Sequence, residues 1–244
     1  MAPCLKSCEF PVSVMSDRSG RLAAATAGVA LLRDERVDAF GSGHLIALRG
    51  GFEPCPWAFD LARFSPARPG DRVLDLGTGG GALLVALSQL HPDSGPRIGV
   101  ELDPVAAAQA RRNAVLAAGA YAVVRGDVRA CPFAPRAFDL VVSNPPFYAR
   151  GWGRESADAR VHASTHAVHG GIEDFTRAAA HALAPHGRVV FVFDAGQLPA
   201  LMLAFEAAGL TLRAARFLHD DRGIPARVLV LAGKDGGGLV VSRG

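Results

Sequence analysis

The rhythm of hydrophobic and polar positions changes at about Arg72. Downstream of it, short β-branched runs alternate with alanine-rich stretches of helical spacing, the order that builds βαβ units on a parallel sheet. The first run, Arg72 to Leu76, leads through a glycine-rich turn into an apolar helix over Ala82 to Leu90. Arg97 to Glu101 predicts strand two, and Asp103-Pro104 opens a helix to about Ala117, proline suiting the first helical position. Ala122 to Arg125 predicts strand three. Ala137 to Ser143 predicts strand four, which must leave the sheet at Pro145-Pro146 because proline cannot continue the ladder. Ile172 to Leu183 has helical spacing and stops at Pro185 to Gly187; Arg188 to Phe193 predicts a fifth strand and Leu198 to Ala208 a further helix. Two final strands, near Leu210 to Leu218 and Ala226 to Leu231, complete an α/β, doubly wound sheet, mostly parallel with an antiparallel C-terminal strand, over residues 71–244.

Residues 1 to about 70 lack this rhythm. Residues 31–70, which contain Gly41, Gly43, Gly50, Gly51, Pro54 and Pro56, predict a small extension of hairpin and helix, and residues 1–30 a poorly ordered segment. Much of the hydrophobic fraction of 50% is alanine, the mean hydropathy is only +0.21, and no run of about 18 apolar residues is present to cross a bilayer. The apolar run Leu22 to Leu32 lies too deep for a signal peptide. A cytoplasmic protein with no membrane association is expected. Cys4, Cys8, Cys55 and Cys131 form no CxxC pair, which argues against a zinc site and a disulfide framework, so no metal is expected. The net charge of +3, carried almost wholly by arginine since lysine occurs only at Lys6 and Lys234, is compatible with a nucleic-acid partner without requiring one.

In an open α/β sheet the ligand lies beyond the carboxyl ends of the strands, near the topological switch point, so the residues ending each strand carry the chemistry. Strand one ends in Asp75-Leu-Gly77-Thr78-Gly79-Gly80-Gly81, whose glycines let backbone approach a ligand closely. Gly77, Gly79 and Ala82 also satisfy a relaxed dinucleotide pattern. A carboxylate two residues before the first glycine favours a cationic ligand and disfavours a pyrophosphate. Glu101 ends strand two, placed to accept from both hydroxyls of a ribose, and Gly126-Asp127 follows strand three, where a carboxylate can accept from an exocyclic amine. Asp103 is better read as a helix cap.

Strand four ends in Asn144-Pro145-Pro146-Phe147. A conjugated amino nitrogen has its lone pair delocalised and attacks poorly until acceptors grip its hydrogens. The Asn144 side-chain oxygen and the Pro145 carbonyl can be those acceptors, Pro146 stiffens the turn with Pro145, and Phe147 offers a face for stacking a planar group. Such stacking contributes about 1–3 kcal/mol per base, comparable with the few kcal/mol needed to flip one out.

These strand-end sequences, Asp75-Leu-Gly-Thr-Gly79, Val100-Glu-Leu-Asp-Pro104, Gly126-Asp127 and Asn144-Pro-Pro-Phe147, resemble the class I S-adenosylmethionine-dependent methyltransferases that carry an N-P-P-[FY] motif. The resemblance spans about residues 70–195 and implies a Rossmann-like methyltransferase sheet, S-adenosyl-L-methionine as cofactor, and a cofactor-binding set of Asp75, Gly77, Thr78, Gly79, Glu101, Leu102, Asp127, Val128 and Asn144, with Asn144, Pro145, Pro146 and Phe147 catalytic. Within that class, Val37-Asp-Ala-Phe40 before a Gly41 to Arg49 hairpin, and Arg227-Val-Leu-Val230, resemble the bacterial tRNA(Val) adenine-N6 methyltransferases. Where that family has a G-Y-R-x-G-x-D-like segment, this chain reads Gly51-Phe-Glu-Pro-Cys-Pro-Trp57, and where it has a basic, leucine-rich tail this chain reads Gly236 to Gly244. The resemblance implies an RNA substrate, tRNA first, and a monomer or weak dimer.

A protein glutamine amide and a guanine N2 are conjugated nitrogens that need the same grip, and both stay open as acceptors. Outside the transferases, a nicotinamide oxidoreductase lacks support, because neither Tyr121 nor Tyr148 has a lysine near it, and a module that only binds RNA would have no need of Asn144 and the glycines. Tyr148, Arg150, Trp152, Arg154, Arg160, His162, His166 and His169 interleave basic and aromatic side chains suited to phosphates and bases, or form a polar loop.

Overall fold

The computed structural model describes residues 17–48, 54–146, 170–235 and 238–243. The chain opens with α1 (Asp17–Thr26), the antiparallel pair β1 (Glu35–Phe40) and β2 (Gly43–Leu48), and α2 (Ala58–Phe64). Ala24 and Val29 bury against Val37 and Ile46, so α1 packs on the hairpin through an apolar contact of its own. The described chain thus begins at Asp17 rather than at about Leu31.

The doubly wound sheet follows in the predicted order: β3 (Val73–Leu76), α3 (Ala82–Leu90), β4 (Arg97–Glu101), α4 (Pro104–Leu116), β5 (Ala122–Arg125), β6 (Phe138–Ser143), α5 (Ile172–Ala182), β7 (Leu183–Asp194), α6 (Leu198–Ala207), β8 (Thr211–His219), β9 (Pro225–Gly233) and β10 (Val240–Arg243). Its spatial order is β10-β8-β9-β7-β6-β3-β4-β5, with β5, β4, β3, β6 and β7 mutually parallel and β9 antiparallel to both its neighbours. The chain winds outward from β3 to β5 and then returns to the other side of β3 as β6, which puts the switch point between β3 and β6.

Strand alternation splits the core between two helical layers. Leu74, Leu76, Val141, Phe191 and Val230 face α5 and α6, while Val73, Leu140, Val142, Val190 and Leu229 face α2, α3 and α4. Both faces are covered, which explains why the parallel strands read as near-continuous apolar runs. Asp103 caps α4 by accepting from Val105 and Ala106 N–H, with Pro104 in the first turn.

Two strands of the main sheet depart from the sequence pattern. Pairing of β7 with β6 starts at Phe138 with Leu183, and a register shift before Leu140 with Arg188 accommodates Pro185 to Gly187, so the strand starts five residues before Arg188. The second is β10, which pairs parallel to β8 beyond the two final strands that the pattern predicts. Val240 and Val241 on it are 65% and 60% exposed, so no buried face marks it in the sequence.

Candidate functional site

At the carboxyl edge of the sheet, β3 and β6 end side by side. Leu76 pairs with Ser143, and the fully buried Ser143 hydroxyl donates to the Leu76 carbonyl at 2.7 Å, locking the two strand ends together. Asn144, the next residue, is therefore level with Gly77. Across the sheet, Glu101 pairs with Arg125, so Asn144, the glycine turn, Glu101 and Asp127 fall on successive strands β6, β3, β4 and β5. Three strand spacings of about 4.8 Å make a row about 14 Å long.

The glycine turn hooks over β4 through Gly77 and Thr78 N–H donating to the Val100 carbonyl at 2.9 and 3.0 Å. Gly77, Gly79 and Gly81 all have positive φ (+69°, +54° and +87°). At Gly81, the residue before α3, a Cβ would stand 2.5 Å from the Tyr121 hydroxyl; at Gly79 nothing lies within 4 Å, so its backbone faces open space. A ligand can thus approach Gly79 closely.

Acidic groups flank that space. Asp75 is 1% exposed and accepts from Thr78 Oγ1 at 2.7 Å. Burial pushes its carboxyl up to about 7, the Thr78 hydrogen bond opposing and the charge of Glu101 adding to the rise. Glu101 accepts from Gly79 N–H at 2.8 Å and Asp103 N–H at 2.9 Å, and burial raises its carboxyl as well. Among the described residues neither carboxyl is paired with a cation, and a sulfonium and an ammonium would supply that charge.

Asp127 accepts from Arg129 N–H at 2.9 Å and pairs with the Arg129 guanidinium at 2.6 Å, capping a 3₁₀ turn over Val128–Ala130 in which Val128 is buried. Leu102 lies half-buried beside Glu101, Pro145 is buried and Pro146 half-buried. Asn144 Nδ2 donates to Cys55 Sγ at 3.2 Å, whereas its Oδ1 is shielded from solvent and has no partner among the described residues. Phe147 and the basic and aromatic series from Tyr148 to His169 lie outside the described residues.

The structure brings in residues that sequence reasoning missed. Asn113, fully buried on α4, accepts from Ile46 N–H at 2.7 Å and donates to the Gly80 carbonyl at 2.8 Å, and Gln109 donates to the Ile46 carbonyl. They tie β2 to the glycine turn. Cys55 and Arg129 are equally unannounced; the signal for Asn113 was an amide in a helix otherwise rich in alanine. Among the described residues no group of His, Cys, Asp and Glu could hold a metal ion, and no helix is long and apolar enough to cross a membrane.

Strand order, glycine turn and flanking acids together define a class I S-adenosylmethionine-dependent methyltransferase. The family model described as "Methyltransferase small domain" matches residues 61–217, and the chain belongs to that family. A tRNA1(Val) (adenine(37)-N6)-methyltransferase from Tolumonas auensis is 31% identical over 179 residues, covering 70% of this chain and 72% of the relative. Its counterpart from Salmonella arizonae is 38% identical over 94 residues, 37% of this chain and 38% of the relative's length. Ribosomal protein L11 methyltransferase of Thermus thermophilus is 40% identical over 107 residues, 43% of this chain and 37% of that protein. Among solved structures, a predicted O-methyltransferase, protein Atu636 from Agrobacterium tumefaciens, superposes with a TM-score of 0.57 at 21% identity, covering 76% of this chain and 84% of that one, which is a likeness of fold. The cofactor is accordingly S-adenosyl-L-methionine.

Proposed function

We propose that this chain transfers a methyl group to an exocyclic amino nitrogen of a nucleobase in structured RNA, adenine N6 in a tRNA foremost. The observation that carries the reading is the Asn144 carboxamide, with its nitrogen held by Cys55 and its buried oxygen unpartnered at the switch point. A buried acceptor without a partner costs about 1–3 kcal/mol, and an incoming N–H removes that cost. The relatives named for adenine-N6 methylation of tRNA support adenine. The relative named for ribosomal protein L11 keeps a protein acceptor, a glutamine amide, as the second reading.

The cofactor supplies an electrophilic methyl on a cationic sulfur. Asp75, through the turn it braces with Thr78, offers negative charge to the ammonium, and Gly77 and Gly79 let the backbone close on the ligand. Glu101 accepts from the ribose hydroxyls, beside Leu102. Asp127 and the Val128 backbone hold the adenine edge, where an exocyclic amine would share the carboxylate with Arg129; a carboxylate has about four lone-pair sites to share. Asn144 Oδ1 and the Pro145 carbonyl hold the acceptor amine, Pro146 stiffens that turn, and Phe147 stacks the base. The acceptor proton turns acidic as the new C–N bond forms and leaves to water, so no strong base is required and positioning supplies much of the barrier reduction.

Asn144→Ala tests the assignment. Methyl transfer should fall below detection while cofactor affinity stays within about tenfold, or roughly 1.4 kcal/mol. A folded Asn144→Ala protein that cannot bind cofactor would show that Asn144 belongs to the cofactor site alone.

A further inference from the structure

Cys55 stands at the entry to α2, in the segment Pro54 to Trp57, with its sulfur 3.2 Å from Asn144 Nδ2. We propose that Cys55 is a positioning residue for methyl transfer: its sulfur fixes which end of the Asn144 carboxamide faces the acceptor amine. The inference rests on the role given to Asn144 above.

A carboxamide turned by half a rotation about χ2 keeps its shape but exchanges acceptor for donor, so its partners alone decide which end meets the substrate. The Cys55 sulfur is already an acceptor, because it receives the backbone N–H of Trp57. It takes the Asn144 amino end in the same way and leaves Oδ1 on the opposite side, unpartnered. Burial pushes the thiol up to about 12, with the Trp57 N–H opposing and Asp75 adding; a neutral thiol can donate or accept, and here it accepts from the Asn144 amino end. Sulfur is a weak acceptor. It therefore orients the amide while polarising it only weakly.

The anchor leads directly into a packed helix. Ala58, Leu61 and Ala62 of α2 are fully buried, and α2 packs on α3 and β7. The segment preceding the main sheet therefore contributes directly to the acceptor side of the site, through one side chain.

The chain has two asparagines, Asn113 and Asn144, so selective ¹⁵N-asparagine labelling gives two side-chain amide signals, and Asn144→Ala assigns them. Cys55→Ala should shift or broaden the Asn144 pair and leave the Asn113 pair in place, a readout that needs no turnover. With total tRNA as substrate, Cys55→Ala should lower kcat tenfold or more with the cofactor KM within threefold, and Cys55→Ser, which keeps an acceptor, should recover kcat to within threefold of wild type. An unshifted Asn144 signal, a wild-type kcat in Cys55→Ala, or equal losses in Cys55→Ala and Cys55→Ser would each overturn the proposal. Wild-type protein that leaves all RNA unmodified would instead overturn the reading of the acceptor, and the amide signals would still decide the contact.

Discussion

Asp75 is the residue whose chemistry is most exposed to a simple test. Its carboxyl is raised to about 7, first by burial, with Thr78 lowering it and Glu101 raising it. A folded-state value above the unfolded one means that the native protein binds the extra proton, so the stability of the ligand-free protein falls as pH rises from the ordinary carboxylate range through about 7. A cationic ligand prefers the ionised form. Cofactor affinity should therefore increase about tenfold between about pH 6 and about pH 8, as expected when binding displaces one proton from a group titrating near 7. Calorimetry across that range checks it, and Asp75→Asn should flatten the profile; a wild-type affinity independent of pH would remove Asp75 from the cofactor site. Gly81 offers a steric counterpart: its φ is +87° and an added Cβ would meet the Tyr121 hydroxyl at 2.5 Å, so Gly81→Ala should weaken both folding and cofactor binding.

At the scale of elements, the hairpin and the glycine turn share Asn113. Removing its carboxamide leaves the Ile46 N–H and the Gly80 carbonyl with fewer partners in a buried place, at about 1–3 kcal/mol for each group left unsatisfied. Asn113→Leu should lower the urea midpoint and weaken cofactor binding together, whereas a change in stability with unaltered cofactor affinity would mean the hairpin does not support the turn. The elements around this joint were legible in the sequence to different degrees. Strands β4 and β5 and helix α3 match the expected bounds, because short β-branched runs and glycine punctuation agree there. The acids at successive strand ends could be read because topology places strand ends together. Cys55 beside Asn144 could not, since 89 positions separate them and only tertiary packing joins them. Helix α1 escaped notice because its partner is the hairpin rather than the main sheet, and β10 because its side chains bury little.

For the molecule as a whole, site and scaffold occupy opposite ends of the sheet. Before β3, Asp71 pairs with Arg188 of β7, the two being 8% and 5% exposed, and Arg72 pairs with Asp139 nearby. Leaving the Arg188 guanidinium buried without its carboxylate costs about 3–5 kcal/mol. Asp71→Ala should therefore lower stability by about that much, measured by denaturant unfolding, while the folded fraction keeps its kcat, because the strand ends that carry Asn144, Asp75 and Glu101 lie at the other edge. The same division explains how the fold can be read from apolar rhythm while the acceptor cannot: rhythm records burial, and the acceptor is selected by a few polar groups at one edge.

The central claim concerns that acceptor. The protein is incubated with S-adenosylmethionine carrying a labelled methyl group, together with total cell RNA and total cell protein, and the RNA is digested to nucleosides. The account predicts label in N6-methyladenosine from the tRNA fraction, absent with Asn144→Ala. Label confined to protein, or to a guanine nucleoside, would contradict it.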